Sequence, residues 1–115
     1  MEKGSIKFEN VTGKIKPMHA VNNGPLKGAR MFPERGNFDA YKEAGFPYAR
    51  NHDAAFCSGY GGEHIVDVHR IFKNFDADEN DPASYVFGPT DEYIANTEAV
   101  GTKTFYRLGA AIEHG

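Results

Sequence analysis

Arg50 and His52 stand two residues apart in the run Tyr48-Ala49-Arg50-Asn51-His52-Asp53. An arginine offers a rigid, permanently charged fork that grips a carboxylate through paired N–H···O bonds. A histidine offers a nitrogen that donates and one that accepts, and its charge changes near neutral pH. If this run is a strand, period-two alternation puts Tyr48, Arg50 and His52 on one face. The helix-facing side of a parallel sheet is apolar, and an unpaired guanidinium there costs several kcal/mol. Arg50 and His52 are therefore expected to face away from the helices. The same parity, applied to 103–108, turns Phe105 and Arg107 the same way. The alternative for both arginines is structural, a pairing with inward carboxylates.

Other clusters fit their chemistry less well. His64, Asp67 and His69 could join His52 and Asp53 around a zinc ion, but on a strand His64 points away from the other two. Asp76-Ala77-Asp78-Glu79-Asn80-Asp81 opens like a calcium loop, yet its sixth position is Asp81 and its twelfth Phe87 where Gly and Glu are required. It reads as a solvated acidic turn before Pro82. Gly59-Tyr60-Gly61-Gly62 lacks the third glycine of a dinucleotide loop and no helix follows directly; it reads as a pocket edge. Cys57 is the single cysteine, so no internal disulfide forms, and the thiol is expected to be inert without a nearby base. No metal and no cofactor is assigned.

The elements that position these residues alternate. Ile6 and Phe8 in 5–9 suggest a short strand or lead-in. Residues 15–21 form a second extended stretch ending in the turn signal Asn22-Asn23-Gly24-Pro25. A helix is predicted over Phe38–Ala44, capped by the side-chain oxygen of Asn37, with Asp39 in its first turn. Gly45 suits the left-handed residue that closes it, and Pro47 forbids continuation. A strand then starts at Tyr48. A second helix is predicted over 91–100, with Thr90 as cap and Gly101 as terminator, followed by a strand over 103–108. Tyr93, Thr97 and Val100 share one face. The unit repeats: a helix stops at Gly, and a strand follows with an aromatic, one residue, then Arg. Strand–helix–strand–helix–strand is the pattern of a parallel α/β sheet. The connection over 54–89 far exceeds the usual 2–6 or so residues, and it includes an extended piece over 64–72. Long excursions after a parallel strand are where barrels carry their sites.

The chain has 115 residues, of which 40% are hydrophobic and 25% charged, with a net charge of −3. Without a basic excess, nucleic acid is not an expected partner. No apolar run approaches the roughly 20 residues of a membrane helix. The opening Met1-Glu2-Lys3-Gly4-Ser5 has no apolar segment after it, so a cytoplasmic location is expected.

Four blocks, taken in order, resemble the start of glycoside hydrolase family 39, which includes β-xylosidases and α-L-iduronidases. They are Val21-Asn22-Asn23-Gly24-Pro25, Tyr48-Ala49-Arg50-Asn51-His52-Asp53, the stretch 78–93, and Phe105-Tyr106-Arg107-Leu108-Gly109. The resemblance implies a partial (β/α)8 barrel, about its first three β/α units with a long loop after the second strand. Residues 1–115 then form a single N-terminal piece of the catalytic domain. It implies a retaining mechanism, with two carboxylates about 5–5.5 Å apart, supplied by glutamates on the fourth and seventh strands, beyond residue 115. Arg50 matches an arginine that holds the nucleophile carboxylate, and His52 matches a position lining the sugar pocket. Asp53, Asn22 and Asn23 are expected to contact sugar hydroxyls, and His114 to reach the same pocket. The implied partners are a carbohydrate substrate and the remaining barrel strands. The alternative is a non-catalytic partial barrel that binds carbohydrate or associates with copies of itself through its open strand edges. A small metal-dependent enzyme using the His and Asp cluster is a further alternative.

Overall fold

The computed structural model describes residues 1–28, 33–52 and 65–110. Three short strands, β1 (Ala20–Asn22), β2 (Tyr48–Arg50) and β3 (Lys103–Phe105), form one sheet in that order. Both pairings are parallel, with Asn22 beside Arg50 and Arg50 beside Phe105. Parallel neighbours require crossovers, and these contain α1 (Phe38–Ala44), α2 (Val68–Ile71) and α3 (Gly88–Ala99). A parallel three-stranded sheet with helices between its strands is thus present.

Local chemistry explains most boundaries. Gly45 closes α1 at φ 63, and its N–H donates to the Lys42 carbonyl. The Asn37 side chain does not cap α1. Its Oδ1 instead accepts from Leu26 N at 2.6 Å, while Asn37 N donates to Leu26 O at 3.1 Å. A cap was given up for a clasp that ties the loop after β1 to the start of α1. Helix α3 begins three residues before the expected Asp91. Pro89 fits the first turn, where no intrahelical N–H is needed. Thr90 lies inside the helix and donates its hydroxyl to Ile65 O at 2.7 Å, anchoring the chain that enters α2.

Two expected extended pieces differ. Residues 5–9 are not a strand, and the chain before Ala20 is exposed throughout. Within 64–72 the described residues turn into α2, where Arg70 N and Ile71 N both donate to Asp67 O. The acidic turn behaves as read: Asp78, Glu79, Asn80 and Asp81 are exposed. Asp81 accepts from Ala83 N at 2.9 Å and caps a short 3-10 turn, Pro82–Ser84.

The buried apolar residues pack in two groups. Tyr41, Ala49 and Val100 form one, with Val21, Phe38 and Phe46 against it. Ile65, Val66 and Tyr93 form the other, with Leu26, Ile94 and Tyr106. Gly24 sits where the loop after β1 meets α3. A Cβ there would fall on the Thr97 side chain at Oγ1, so glycine at this position is what leaves room for it.

Candidate functional site

The face opposite the helices is the candidate site. Exposure alternates along β2 and past its end: Tyr48 exposed, Ala49 buried, Arg50 exposed, Asn51 buried, His52 half-buried. Ala49 packs in the core beside Tyr41 and Val100, which turns Tyr48 and Arg50 outward by parity. The same alternation leaves Asn22 and Phe105 exposed. At the C-terminal ends of three strands, Asn22, Arg50 and Phe105 therefore stand in one row. An amide, a guanidinium and an aromatic ring lie side by side, with strands about 4.8 Å apart.

One long side-chain bond joins two members of this row, and Asn23 ties the strand ends beside it. Arg50 Nη1 donates to Asn22 Oδ1 at 3.5 Å. Asn23 adopts φ 66, a left-handed conformation that Asn tolerates better than most residues. Its N–H donates to Arg50 O at 2.8 Å, its carbonyl accepts from Tyr41 Oη at 2.8 Å, and its Oδ1 accepts from His52 N at 2.8 Å. Asn23 thus fixes the angle between the ends of β1 and β2, and its side-chain oxygen faces His52 N. Of the residues expected to contact sugar, Asn22, Asn23, Arg50 and His52 are brought together. Asp53 and His114 lie outside the described residues, as do Cys57, Gly59-Tyr60-Gly61-Gly62 and His64.

Arg107 departs from its expected place. β3 ends at Phe105, so parity no longer governs residue 107. Its Nη2 donates to Asp67 Oδ1 at 2.7 Å and its Nη1 to Ala110 O at 3.1 Å. Asp67 is 0% exposed and the Arg107 side chain 19%. This is the structural pairing that parity left open as the alternative for Arg107. It commits Asp67 to a cation already present, which weakens the zinc alternative. Among the described residues no group of three metal-binding side chains occurs.

No role for Asn51 or Tyr106 is assigned from the sequence. Buried Asn51 reads the Arg107 backbone in both directions: Oδ1 accepts from Arg107 N, and Nδ2 donates to Arg107 O at 3.3 Å. Its amide imitates one more step of the β2–β3 ladder. A polar residue between two outward positions was the available signal. Tyr106 donates its hydroxyl to Val66 O at 2.8 Å. Burial, and then the Asp67 charge, push its pKa up, against smaller opposing effects of Thr90 and Arg107.

The arrangement defines a class: a parallel α/β unit whose polar residues gather at the C-terminal ends of its strands, where such sheets bind ligands. No family model, no curated protein and no solved structure matches this chain. Among the described residues no helix is long and apolar enough to cross a membrane.

Proposed function

We propose that this chain binds carbohydrate at the C-terminal ends of β1 and β2, as the N-terminal part of a retaining glycoside hydrolase barrel of the β-xylosidase and α-L-iduronidase kind. The observation that carries this is the exposed row Asn22, Arg50, Phe105 on three parallel strands, with His52 just beyond. A sugar ring presents hydroxyls at its edge and C–H groups on its faces. The Asn22 amide, the Arg50 guanidinium and the His52 imidazole suit the hydroxyls. The Phe105 ring suits a C–H face. In this role Arg50 also orients the nucleophilic carboxylate, and neither catalytic glutamate is assigned to residues 1–115.

The test is a calorimetric titration with xylobiose, on the wild type and on Arg50→Ala. A hydrogen bond from a charged donor is worth about 1.5–3 kcal/mol, so the variant is expected to bind at least about tenfold more weakly. Its melting temperature should not change, because Arg50 is exposed. Unchanged affinity, or no affinity in the wild type, contradicts the proposal. Hydrolysis of an aryl β-xyloside is expected only from a polypeptide that adds later barrel strands to this chain. Equal turnover by residues 1–115 alone contradicts the assignment of the glutamates.

A further inference from the structure

An apolar groove of about 410 Å³ opens beyond the C-terminal end of β3. Ile71, Phe72, Tyr85, Phe87, Ile94 and Leu108 line it. Its wall is ordered by aromatic contacts: Phe72 and Tyr85 lie 5.0 Å apart, and Tyr85 stacks on Phe87 at 5.5 Å with planes 2° apart. Leu108 is 88% exposed at its rim. The surroundings are acidic. Asp91 lines the groove. Tyr85 is tied by its hydroxyl to Glu79 O, at 2.8 Å, and so brings the exposed run Asp76, Asp78, Glu79 and Asp81 alongside.

The same chain carries a segment of matching character. Residues 1–18 are exposed, and their hydrogen bonds, Asn10 N to Lys7 O and Val11 N to Glu9 O, stay within the segment. Ile6, Phe8, Val11, Ile15 and Met18 are all bare to solvent, Phe8 at 89%. Lys3, Lys7, Lys14 and Lys16 give the segment a basic balance over Glu2 and Glu9. Extended, it presents Ile6 and Phe8 on one side and Lys3 and Lys7 on the other. The radius of gyration is 19.5 Å and the long axis 68 Å against 33 and 26 Å; a compact chain of this length has a radius of about 13 Å. The arm leaves from the N-terminal end of β1 with its apolar residues in solvent, and none of residues 1–18 lines the groove. Arm and groove are therefore both open to another molecule.

We propose that the groove receives the N-terminal arm of a second copy of this chain. Ile6 and Phe8 enter between Phe72, Phe87 and Leu108, and Lys3 and Lys7 lie over Asp78, Glu79 and Asp91. Two copies exchanging arms give a closed dimer with two identical contacts. This inference does not rest on the sugar proposal, and its test reads association and not sugar affinity.

Sedimentation velocity over a concentration series tests it. The wild type is expected to dimerise. Ile6→Asp with Phe8→Asp is expected to raise the dimer dissociation constant about a hundredfold. Both positions are solvent-exposed, so circular dichroism should stay that of the wild type. Lys3→Glu with Lys7→Glu should weaken the dimer about tenfold, and Asp78→Lys with Glu79→Lys should restore it. The seat of the arm is tested by oxidation in a Cys57→Ser background. Copies with Phe8→Cys and copies with Leu108→Cys, mixed, should give a disulfide between molecules. A wild type that is monomeric throughout overturns the proposal. So does a dimer indifferent to Ile6 and Phe8. So does a disulfide that forms within one molecule when Phe8→Cys and Leu108→Cys share a chain at dilution, which makes the groove the seat of the chain's own arm.

Discussion

Asp67→Asn removes the charge of a fully buried carboxylate while keeping the side chain's shape. The carboxylate is 0% exposed and meets Arg107 at 2.7 Å. Two unit charges about 4 Å apart attract by about 4 kcal/mol at an effective dielectric constant near 20. Desolvation offsets much of this attraction, so the pair adds little net stability. Breaking it by removing one partner is different, because the other charge is stranded; such losses run to about 3–5 kcal/mol. Arg107 keeps 19% of its side chain exposed and a second acceptor in Ala110 O. The loss should therefore fall near the low end, about 3 kcal/mol. For a chain of this size that lowers the melting temperature by roughly 10–20 °C. The assay is urea unfolding followed by circular dichroism and tyrosine fluorescence, since the chain has no tryptophan. Asp67→Leu combined with Arg107→Met replaces both charges by apolar groups and should return to within about 1 kcal/mol of the wild type. A loss below about 1 kcal/mol for Asp67→Asn, or a double variant as unstable as the sum of its singles, refutes the stranded-charge argument.

Gly24→Ala forces a Cβ to within 2.2 Å of Thr97 Oγ1 and should cost about 1–3 kcal/mol; adding Thr97→Ala should recover most of it in the same unfolding assay, and no recovery would mean that the strain lies elsewhere. Asn51→Ala leaves the Arg107 N–H and carbonyl without their partner and should cost about 2–4 kcal/mol, with faster amide exchange at Arg107; a neutral outcome contradicts the ladder-mimicking role. Because burial and the Asp67 charge raise the Tyr106 pKa above 10.0 in the folded chain, its contribution to stability is complete below that pH and is lost as pH rises through the folded value. The wild type should therefore lose stability more steeply above pH 10.0 than Tyr106→Phe does, and superimposable pH–stability curves would contradict this.

Legibility in the sequence followed the range of the forces involved. The limits of α1 were readable because Gly45 needs only its own backbone to end a helix. The parallel alternation was readable because the periodicity of 48–52 is local, and so was the outward turn of Arg50. Thr90 does not mark the start of α3, because its hydroxyl is drawn to Ile65 O instead of the helix end. Asn37 leaves α1 without a side-chain cap for the same reason, its oxygen being claimed by Leu26 N. In both cases a cap-forming residue met a tertiary donor or acceptor that no local pattern reports. Parity does not reach Arg107, because its strand stops at Phe105. Its partner Asp67 is 40 residues away in sequence, and nothing near either residue announces the pair. The alternation of Ile6 and Phe8 predicted a strand, but a strand needs a neighbour to bond, and the chain before Ala20 has none among the described residues.

Backbone amide mapping by NMR during a xylobiose titration puts the central claim to its most direct test. Shifts are expected to concentrate at Asn22, Asn23, Arg50, His52 and Phe105, and to vanish in Arg50→Ala while the rest of the spectrum is preserved. Shifts that instead cluster on the helix-covered side, around Tyr41 or Val100, or that persist undiminished without Arg50, would contradict the placement of a sugar site on this face.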